Sequence, residues 1–179
     1  MDEMVMQTAR DFLANAGLTD AQVMGLVKIG YFSAPASCRH HLAVKGGLVE
    51  HSINVTRSLI NLKVFPDPVE NRSTYRVGML HDLVKCFNYT ADGVDGRYRF
   101  VSAPYPGHGM ASFMIAHELG IELSPVEAAC IVWHMGAFGL DEDALKQYSE
   151  AVRFHPGPII LTHAADHLAS VYEELREKA

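Results

Sequence analysis

The chain has 179 residues, of which 49% are hydrophobic and 20% are charged, a composition that is typical of one folded domain and excludes a disordered chain. Its 15 Lys and Arg and 21 Asp and Glu give a formal net charge of -6, so no overall positive field attracts nucleic acid or an anionic membrane. We therefore expect neither nucleic acid nor a membrane as a partner.

The cysteines and the first residues indicate a cytoplasmic protein. Cys38, Cys86 and Cys130 are odd in number and form no CxxC motif, which argues against a disulfide framework and against a thiolate metal site. The first residues are acidic where a secretory signal requires positive charge, and no apolar run approaches the roughly 18 residues of a membrane span. We expect a cytoplasmic location.

Apolar residues recur at helical spacing along most of the chain, and this pattern predicts helices. The first two are expected from Met4 to a stop at Gly17 and over about residues 20–28, before an irregular connection at residues 33–37. A long helix should follow Gly46 and Gly47 and end before Pro66. The next should run from about residue 70 to residue 85, with residues 81–85 as its final turn.

The second half of the chain adds a hairpin and further helices. Aromatic and β-branched residues from 87 to 101, around a polar tip at residues 91–96, predict a β-hairpin. Helices are expected at residues 108–119, from Pro125 behind an N-cap at Ser124, after Asp141, and from about residue 156 into a charged tail at residues 173–178. The predicted fold is an all-α bundle with a small β-hairpin inserted near its middle.

Histidines and aspartates stand at apolar positions of several of these helices. His81 and Asp82 end an apolar helical turn, where a buried carboxylate requires a partner. His51 lies between Leu48 and Val55 on the buried edge of its helix, and Asp166 lies in a second apolar run. Imidazoles and carboxylates that converge from separate helices are the ligands a divalent cation needs. The sequence therefore predicts a metal site.

This ordered set resembles the signature of the HD superfamily of metal-dependent phosphohydrolases, which is His, then His-Asp, then a distant Asp. The resemblance covers about residues 33–172. Its most specific stretch, residues 40–52, is similar to one HD subgroup that includes the HD domain of a bacterial 3'-to-5' exoribonuclease family. Residues 80–85 are similar to the HDxxK element of that subgroup. The residues before Ser33 depart from it, because they indicate helices and not a nucleic-acid-binding β-barrel, which argues against RNA as the substrate.

The resemblance implies an HD-domain helical bundle over residues 33–179, with residues 1–32 as N-terminal helices that pack on it. It further implies a dinuclear site, since the sequence around His108 and His134 resembles the two extra histidines of dinuclear members. One metal would take four ligands, and the second would take the two extra histidines with Asp82 as a bridge. The four implied ligands of the first metal are His51, His81, Asp82 and Asp166.

The ligand types narrow the choice of metal. Histidine ligands disfavour Mg²⁺, which prefers oxygen ligands, and the absence of cysteine ligands disfavours structural zinc. We expect one or two Mn²⁺ or Fe²⁺ ions, with Zn²⁺, Ni²⁺ and Co²⁺ as alternatives. Two such cations generate a hydroxide nucleophile and neutralise phosphoryl charge, which indicates hydrolysis of a small nucleotide-like phosphate ester. Asp82 and Lys85 are the expected catalytic residues, with a solvated lysine at a helix end as the alternative for Lys85.

Other residues are weaker candidates for substrate binding. His41, Arg97 and Arg99 are expected to contact the substrate, and Tyr89 and Tyr98 of the hairpin suit a nucleoside. A solvated surface hairpin explains the hairpin residues equally well. Three other histidines are expected to be structural, namely His117, His155 and His167.

Two other functions stay open beside the phosphomonoesterase or phosphodiesterase. Related HD proteins use similar ligands to activate dioxygen, so a dinuclear-iron oxygenase is the first alternative. The second is a non-catalytic module that senses a nucleotide. The sequence leaves the substrate and the oligomeric state undecided, because one fold with one ligand set serves many functions.

Overall fold

The protein is all-α with one small β-hairpin, as the sequence predicts. The computed structural model describes residues 2–65, 71–91 and 97–178. The elements in these ranges, in chain order, are α1 (Glu3–Asn15), α2 (Asp20–Lys28), α3 (Gly47–Asn61), α4 (Asn71–Leu80), α5 (Lys85–Asn88), β1 (Tyr89–Ala91), β2 (Tyr98–Phe100), α6 (His108–Glu118), α7 (Pro125–Trp133), α8 (Glu142–Phe154) and α9 (Pro156–Glu177). None of the described helices is long and apolar enough to cross a membrane.

The helix ends follow the local sequence signals. Gly17, just after α1, has a φ of 70°, the left-handed conformation that lets the chain leave a helix. The predicted start of α7 is confirmed: the Ser124 hydroxyl accepts a hydrogen bond from the Glu127 amide, and the Glu127 carboxylate accepts one from the Ser124 amide. These reciprocal bonds fix the beginning of the helix.

The predicted end of α4 is wrong, because the helix stops at Leu80 and not at Lys85. The His81 amide still donates to the Val77 carbonyl in the α-helical pattern, whereas the Lys85 amide donates to the Asp82 carbonyl only three residues back. The chain tightens into successive turns over residues 81–84 before α5 begins. This break places His81 and Asp82 side by side in a turn at the end of α4.

The hairpin is shorter than predicted, because α5 takes up residues 87 and 88. Its strands pair antiparallel, with Tyr89 opposite Phe100 and Ala91 opposite Tyr98. Since side chains alternate across a strand, Tyr89 and Tyr98 share one face of the hairpin, and Thr90 and Arg99 share the other. Most of the predicted tip, residues 92–96, lies outside the described residues.

The helices cross closely at two glycines. A Cβ atom on Gly78 of α4 would lie 2.2 Å from the Thr56 hydroxyl of α3, and one on Gly109 of α6 would lie 2.2 Å from the Val132 carbonyl oxygen of α7. α3 packs against α1, α4 and α9, while α7 packs against α4, α6 and α9. These contacts leave a shared space at the ends of α4 and α7, between α3, α6 and α9.

The N-terminal helices share an apolar core with the rest of the chain. Leu13 of α1 and Leu26 of α2 belong to the same buried cluster as Leu48 of α3 and Met79 of α4. A second cluster, which includes Val55 and Ile159, lies between α3 and α9. The division into residues 1–32 and residues 33–179 stays a prediction.

Candidate metal centre

Six side chains from five parts of the fold converge in the space between the helices. His51 comes from the first half of α3 and Asp166 from the middle of α9, while His81 and Asp82 come from the turn after α4. His108 is the first residue of α6, and His134 is the C-cap of α7. The six residues are those that the sequence predicts as metal ligands. We call them the cluster.

The first group in the cluster is compact enough to surround one ion. Ligand atoms of His51, His81, Asp82 and Asp166 all lie within 4.8 Å of one another. Ligands roughly 2.0 to 2.4 Å from a shared ion are separated by at most twice that distance, so this spacing suits one cation. The shortest contact joins His51 Nε2 and Asp166 Oδ1 at 3.0 Å.

The second group meets the first at Asp82. His108 Nε2 is 2.7 Å and His134 Nε2 is 3.4 Å from Asp82 Oδ1. The other oxygen, Oδ2, faces the first group and lies 3.3 Å from His81 Nε2 and 3.6 Å from His51 Nε2. One carboxylate thus presents one oxygen to each group of imidazoles.

Two imidazoles are held in the tautomer that suits a metal ligand. His81 Nδ1 lies 2.9 Å from the Gly78 carbonyl oxygen, and His134 Nδ1 lies 2.7 Å from the Ile131 carbonyl oxygen. A carbonyl oxygen only accepts, so each Nδ1 donates and each Nε2 keeps a free lone pair. Both Nε2 atoms are buried and have no hydrogen-bond partner among the described residues. Buried polar atoms are rarely left without a partner, and a cation supplies one.

The charges of the cluster also favour a cation. Three carboxylates, those of Asp82, Asp166 and Glu173, are buried or nearly so beside one ammonium group, that of Lys85. Burial alone would raise the pKa of Asp82, but Lys85 and the neighbouring imidazoles lower it well below its usual value. The carboxylate is therefore ionised, and the negative charges outnumber the fixed positive charge.

The pKa of His51 reflects the same excess of negative charge. Burial alone would lower the pKa of His51, but hydrogen bonds to Asp166 and Glu173 raise it to about 9. Burial likewise would lower the pKa of His134, and Asp82 raises it. The buried carboxylates draw positive charge into the cluster, which a bound metal ion would supply in place of protons.

Glu173, which the sequence places in the charged tail of the last helix, also contacts the cluster. Its Oε2 atom lies 2.9 Å from His51 Nδ1, and its Oε1 atom accepts a hydrogen bond of 2.7 Å from the Asn54 side-chain amide. A carboxylate on the far nitrogen fixes the orientation of a ligand imidazole. The available signal was its spacing, since Glu173 follows Asp166 by two helical turns and so lies on the same face of α9.

Lys85 is buried and paired with the cluster. Its Nζ atom is 2.6 Å from Asp82 Oδ2, and its side chain is only 11% exposed. Burial alone would lower the pKa of Lys85, but Asp82 raises it, so the ammonium group stays charged. The alternative of a solvated lysine at a helix end does not describe this side chain.

A cavity of about 320 Å³ opens onto the cluster. Its walls include Asp82, Lys85, His108 and Asp166, and also His41, whose two ring nitrogens are buried without a hydrogen-bond partner among the described residues. His163 and His167 line the cavity as well, although His167 was expected to be structural. The two rings stack 6.5 Å apart, and His163 Nδ1 donates to the His134 carbonyl oxygen.

The structure does not bring the two hairpin arginines to this cavity. Arg97 and Arg99 are exposed, and neither lines the walls. Arg99 lies on the opposite face of the hairpin from Tyr89, which does line them. Of the three residues predicted to bind substrate, only His41 lies at the cavity.

Comparison with known proteins gives one partial match. A search of protein-family models finds no match, and no solved structure matches. The chain is 30% identical over 93 residues to a dihydroneopterin 2',3'-cyclic phosphate phosphodiesterase from Methanocaldococcus jannaschii. The match covers 49% of this chain and 37% of that relative, so the chain spans little more than a third of the relative's length. A homologue of the chain is thus a phosphodiesterase.

Proposed function

We propose that the protein is a metal-dependent phosphohydrolase of the HD type, which hydrolyses a small nucleotide-like phosphate ester. The observation that carries the proposal is Asp82, whose two oxygens face two groups of imidazoles. The likeness to a phosphodiesterase supports hydrolysis of a phosphate ester, and among esters it favours a cyclic phosphodiester. A small phosphorylated molecule is the expected partner, and the cytoplasm is the proposed location.

The cluster provides enough ligands for two cations. We assign His51, His81, Asp82 and Asp166 to the first ion, and His108 and His134 to the second, with Asp82 shared. The unpartnered Nε2 atoms of His81 and His134 support this assignment. The imidazole-rich ligand set favours Mn²⁺ or Fe²⁺ over Mg²⁺, with Zn²⁺, Ni²⁺ and Co²⁺ as alternatives.

Side chains beside the metal ligands are assigned to bind the phosphate. Bound divalent cations make water acidic enough to attack near neutral pH and neutralise the charge of the phosphoryl group. Lys85, held charged by Asp82 at the cavity wall, donates a hydrogen bond to a non-bridging phosphate oxygen. His41 offers further polar atoms at the wall of the same cavity. Arg97 and Arg99 stay untested candidates, since neither lines this cavity.

The proposal is tested by assaying the purified protein after removal of metal and reloading with Mn²⁺. The substrates are nucleoside 2',3'-cyclic phosphates and nucleoside monophosphates. We expect hydrolysis of at least one of them, lost on chelation and restored by metal. A metal-loaded protein that hydrolyses none of them contradicts the proposal.

The same preparations separate the two alternatives left by the sequence. A mixed-valent diiron signal in electron paramagnetic resonance, with dioxygen consumption and no phosphate release, would indicate the oxygenase. Binding of a nucleotide without turnover would indicate the sensing module. Neither alternative has a specific observation in its favour.

A further inference from the structure

A second cavity, of about 260 Å³, adjoins the one over the cluster. Tyr89 lines both cavities. Consecutive residues also line the two cavities. Pro35 lines the second and Ala36 the first, and Cys86 lines the second and Lys85 the first. A molecule with its phosphate over the cluster therefore has a neighbouring space for its remaining atoms.

The walls of the second cavity are aromatic on the side of the hairpin. Tyr89 and Tyr98 share one face of the hairpin, and both line the cavity. Small and apolar residues of the loop after α2, which include Ala34 and Pro35, also line the cavity. Such walls suit a flat ring, since aromatic side chains stack on the π-face of a planar ring.

The polar groups of this cavity suit a neutral ring with acceptor atoms. Among the described residues that line it, Lys45 is the only Lys or Arg. Its side chain is exposed and makes no hydrogen bond or ion pair with any described residue. A single ammonium group suits a ring carbonyl or nitrogen acceptor, whereas a second phosphate usually requires several cations or a bidentate arginine.

We propose that the second cavity, defined by Lys45, Tyr89 and Tyr98, binds the planar heterocycle of a phosphate ester whose phosphate lies at the cluster. The inference rests on the proposed function for the position of the phosphate. Tyr89 borders both spaces, so its ring lies where the two parts of the ester join. The second cavity is then the part of the site that selects the substrate.

The test is calorimetric binding to the Mn²⁺-loaded protein. The probes are phosphonate analogues, whose C–P bond replaces the hydrolysable ester, of adenosine, guanosine, uridine and neopterin phosphates and of ribose 5-phosphate. At least one analogue with a planar heterocycle should bind about tenfold more tightly than the ribose analogue, which lacks it, as stacking on an aromatic side chain provides. Equal affinity for all analogues, or binding of none, would overturn the inference.

Variants of the hairpin locate the effect. Tyr98→Ala should abolish the preference for the heterocycle and leave the affinity for the ribose analogue unchanged. Tyr98→Phe, which keeps an aromatic side chain, should retain the preference. Thr90→Ala, on the other face of the hairpin, is the matched control and should change neither affinity. If Tyr98→Ala weakened both analogues equally, the inference would be wrong.

The outcome for the proposed function is read separately, from ester hydrolysis by the unmodified protein. A protein that hydrolyses its ester but shows no preference for a heterocycle overturns the cavity assignment alone. The protein could instead prefer the heterocycle, lose that preference in Tyr98→Ala and hydrolyse no ester. That outcome supports the cavity assignment and contradicts the proposed hydrolase function.

Discussion

Asp82 carries more contacts to the cluster than its position in a His-Asp pair suggests. One oxygen faces His81, His51 and Lys85, and the other faces His108 and His134. A carboxylate has lone pairs on both oxygens, so a group in this position can serve as a ligand to two cations without any change in the backbone. The side chain is 2% exposed, so its compensating charge comes from its protein neighbours, which are Lys85 and the imidazoles of the cluster.

Lys85 should matter for turnover and not for metal content. In Lys85→Ala, the metal ions still neutralise Asp82, but the phosphoryl group loses a charged donor. We expect kcat/KM to fall about 100-fold or more, the usual effect of removing one such donor, with metal content unchanged by elemental analysis. Lys146→Ala, which removes a lysine that is 66% exposed on α8, is the control and should retain full activity. Loss of metal in Lys85→Ala would contradict this role.

Glu173 should matter for metal affinity. Glu173→Gln keeps the shape of the side chain but removes the carboxylate that orients His51. Loss of such a partner usually weakens metal binding about 10- to 100-fold, and we expect that loss in a chelator competition, with kcat at saturating metal little changed. Glu174→Gln changes the neighbouring residue, whose half-buried side chain pairs with Lys178 away from His51, and should leave the affinity unchanged. An unaltered affinity in Glu173→Gln would mean that His51 needs no orienting partner.

At the scale of the elements, the crossing of α3 and α4 sets the position of His81. The Gly78 carbonyl accepts the hydrogen bond from His81, and its Cα lies against Thr56 of α3. Gly78→Ala forces a Cβ within 2.2 Å of the Thr56 hydroxyl, so the helices must separate. We expect the free energy of unfolding to fall by about 1 to 3 kcal/mol, the usual cost of overpacking, as measured by chemical denaturation.

Gly157→Ala is the matched control for this crossing. Gly157 lies in the first turn of α9, and a Cβ there meets no other atom within 4 Å. Because alanine favours a helix over glycine, this variant should be neutral or more stable by up to about 1 kcal/mol. Equal destabilisation in both variants would show that the close contact between α3 and α4 at Gly78 does not cause the loss of stability.

The sequence predicts most elements because most helices carry an apolar face, and α1, α2, α7 and α8 each begin behind a capping side chain. The end of α4 could not be predicted, since residues 78–85 keep helical spacing while their hydrogen bonds tighten into turns. The orientation of Arg99 was equally hidden, because it depends on the strand register. Glu173 was missed for a third reason: a glutamate in a charged tail resembles a solvated side chain until α9 is packed on α3.

At the scale of the whole molecule, the buried thiol of Cys130 makes the free energy of unfolding depend on pH in alkaline solution. Burial raises the pKa of Cys130 to about 12 from its ordinary value of 9.0. Above pH 9.0 the unfolded chain loses this proton while the folded protein keeps it, so the stabilisation is complete below pH 9.0 and is lost between there and about pH 12. The thiol thus makes the folded state less favourable as the pH rises.

The change is measurable by denaturation between about pH 8 and pH 10.5. The free energy of unfolding of the natural protein should fall more steeply with pH than that of Cys130→Ala, by up to about 1.4 kcal/mol per pH unit above the ordinary pKa of the thiol. Below about pH 9 we expect Cys130→Ala to be less stable than the natural protein because it leaves a small cavity, so the difference in slope is the quantity to compare. Parallel slopes would show that the Cys130 thiol is not shielded from water.

The metal content of three proteins tests the central claim, that one carboxylate serves two ions. Elemental analysis after reloading with Mn²⁺ should find about two ions per chain in the natural protein, about one in His134→Ala, which removes a ligand of the second ion only, and almost none in Asp82→Ala. Circular dichroism shows whether each variant is folded. If folded Asp82→Ala retained as much metal as the natural protein, Asp82 would not be the shared ligand and the account of the site would be wrong.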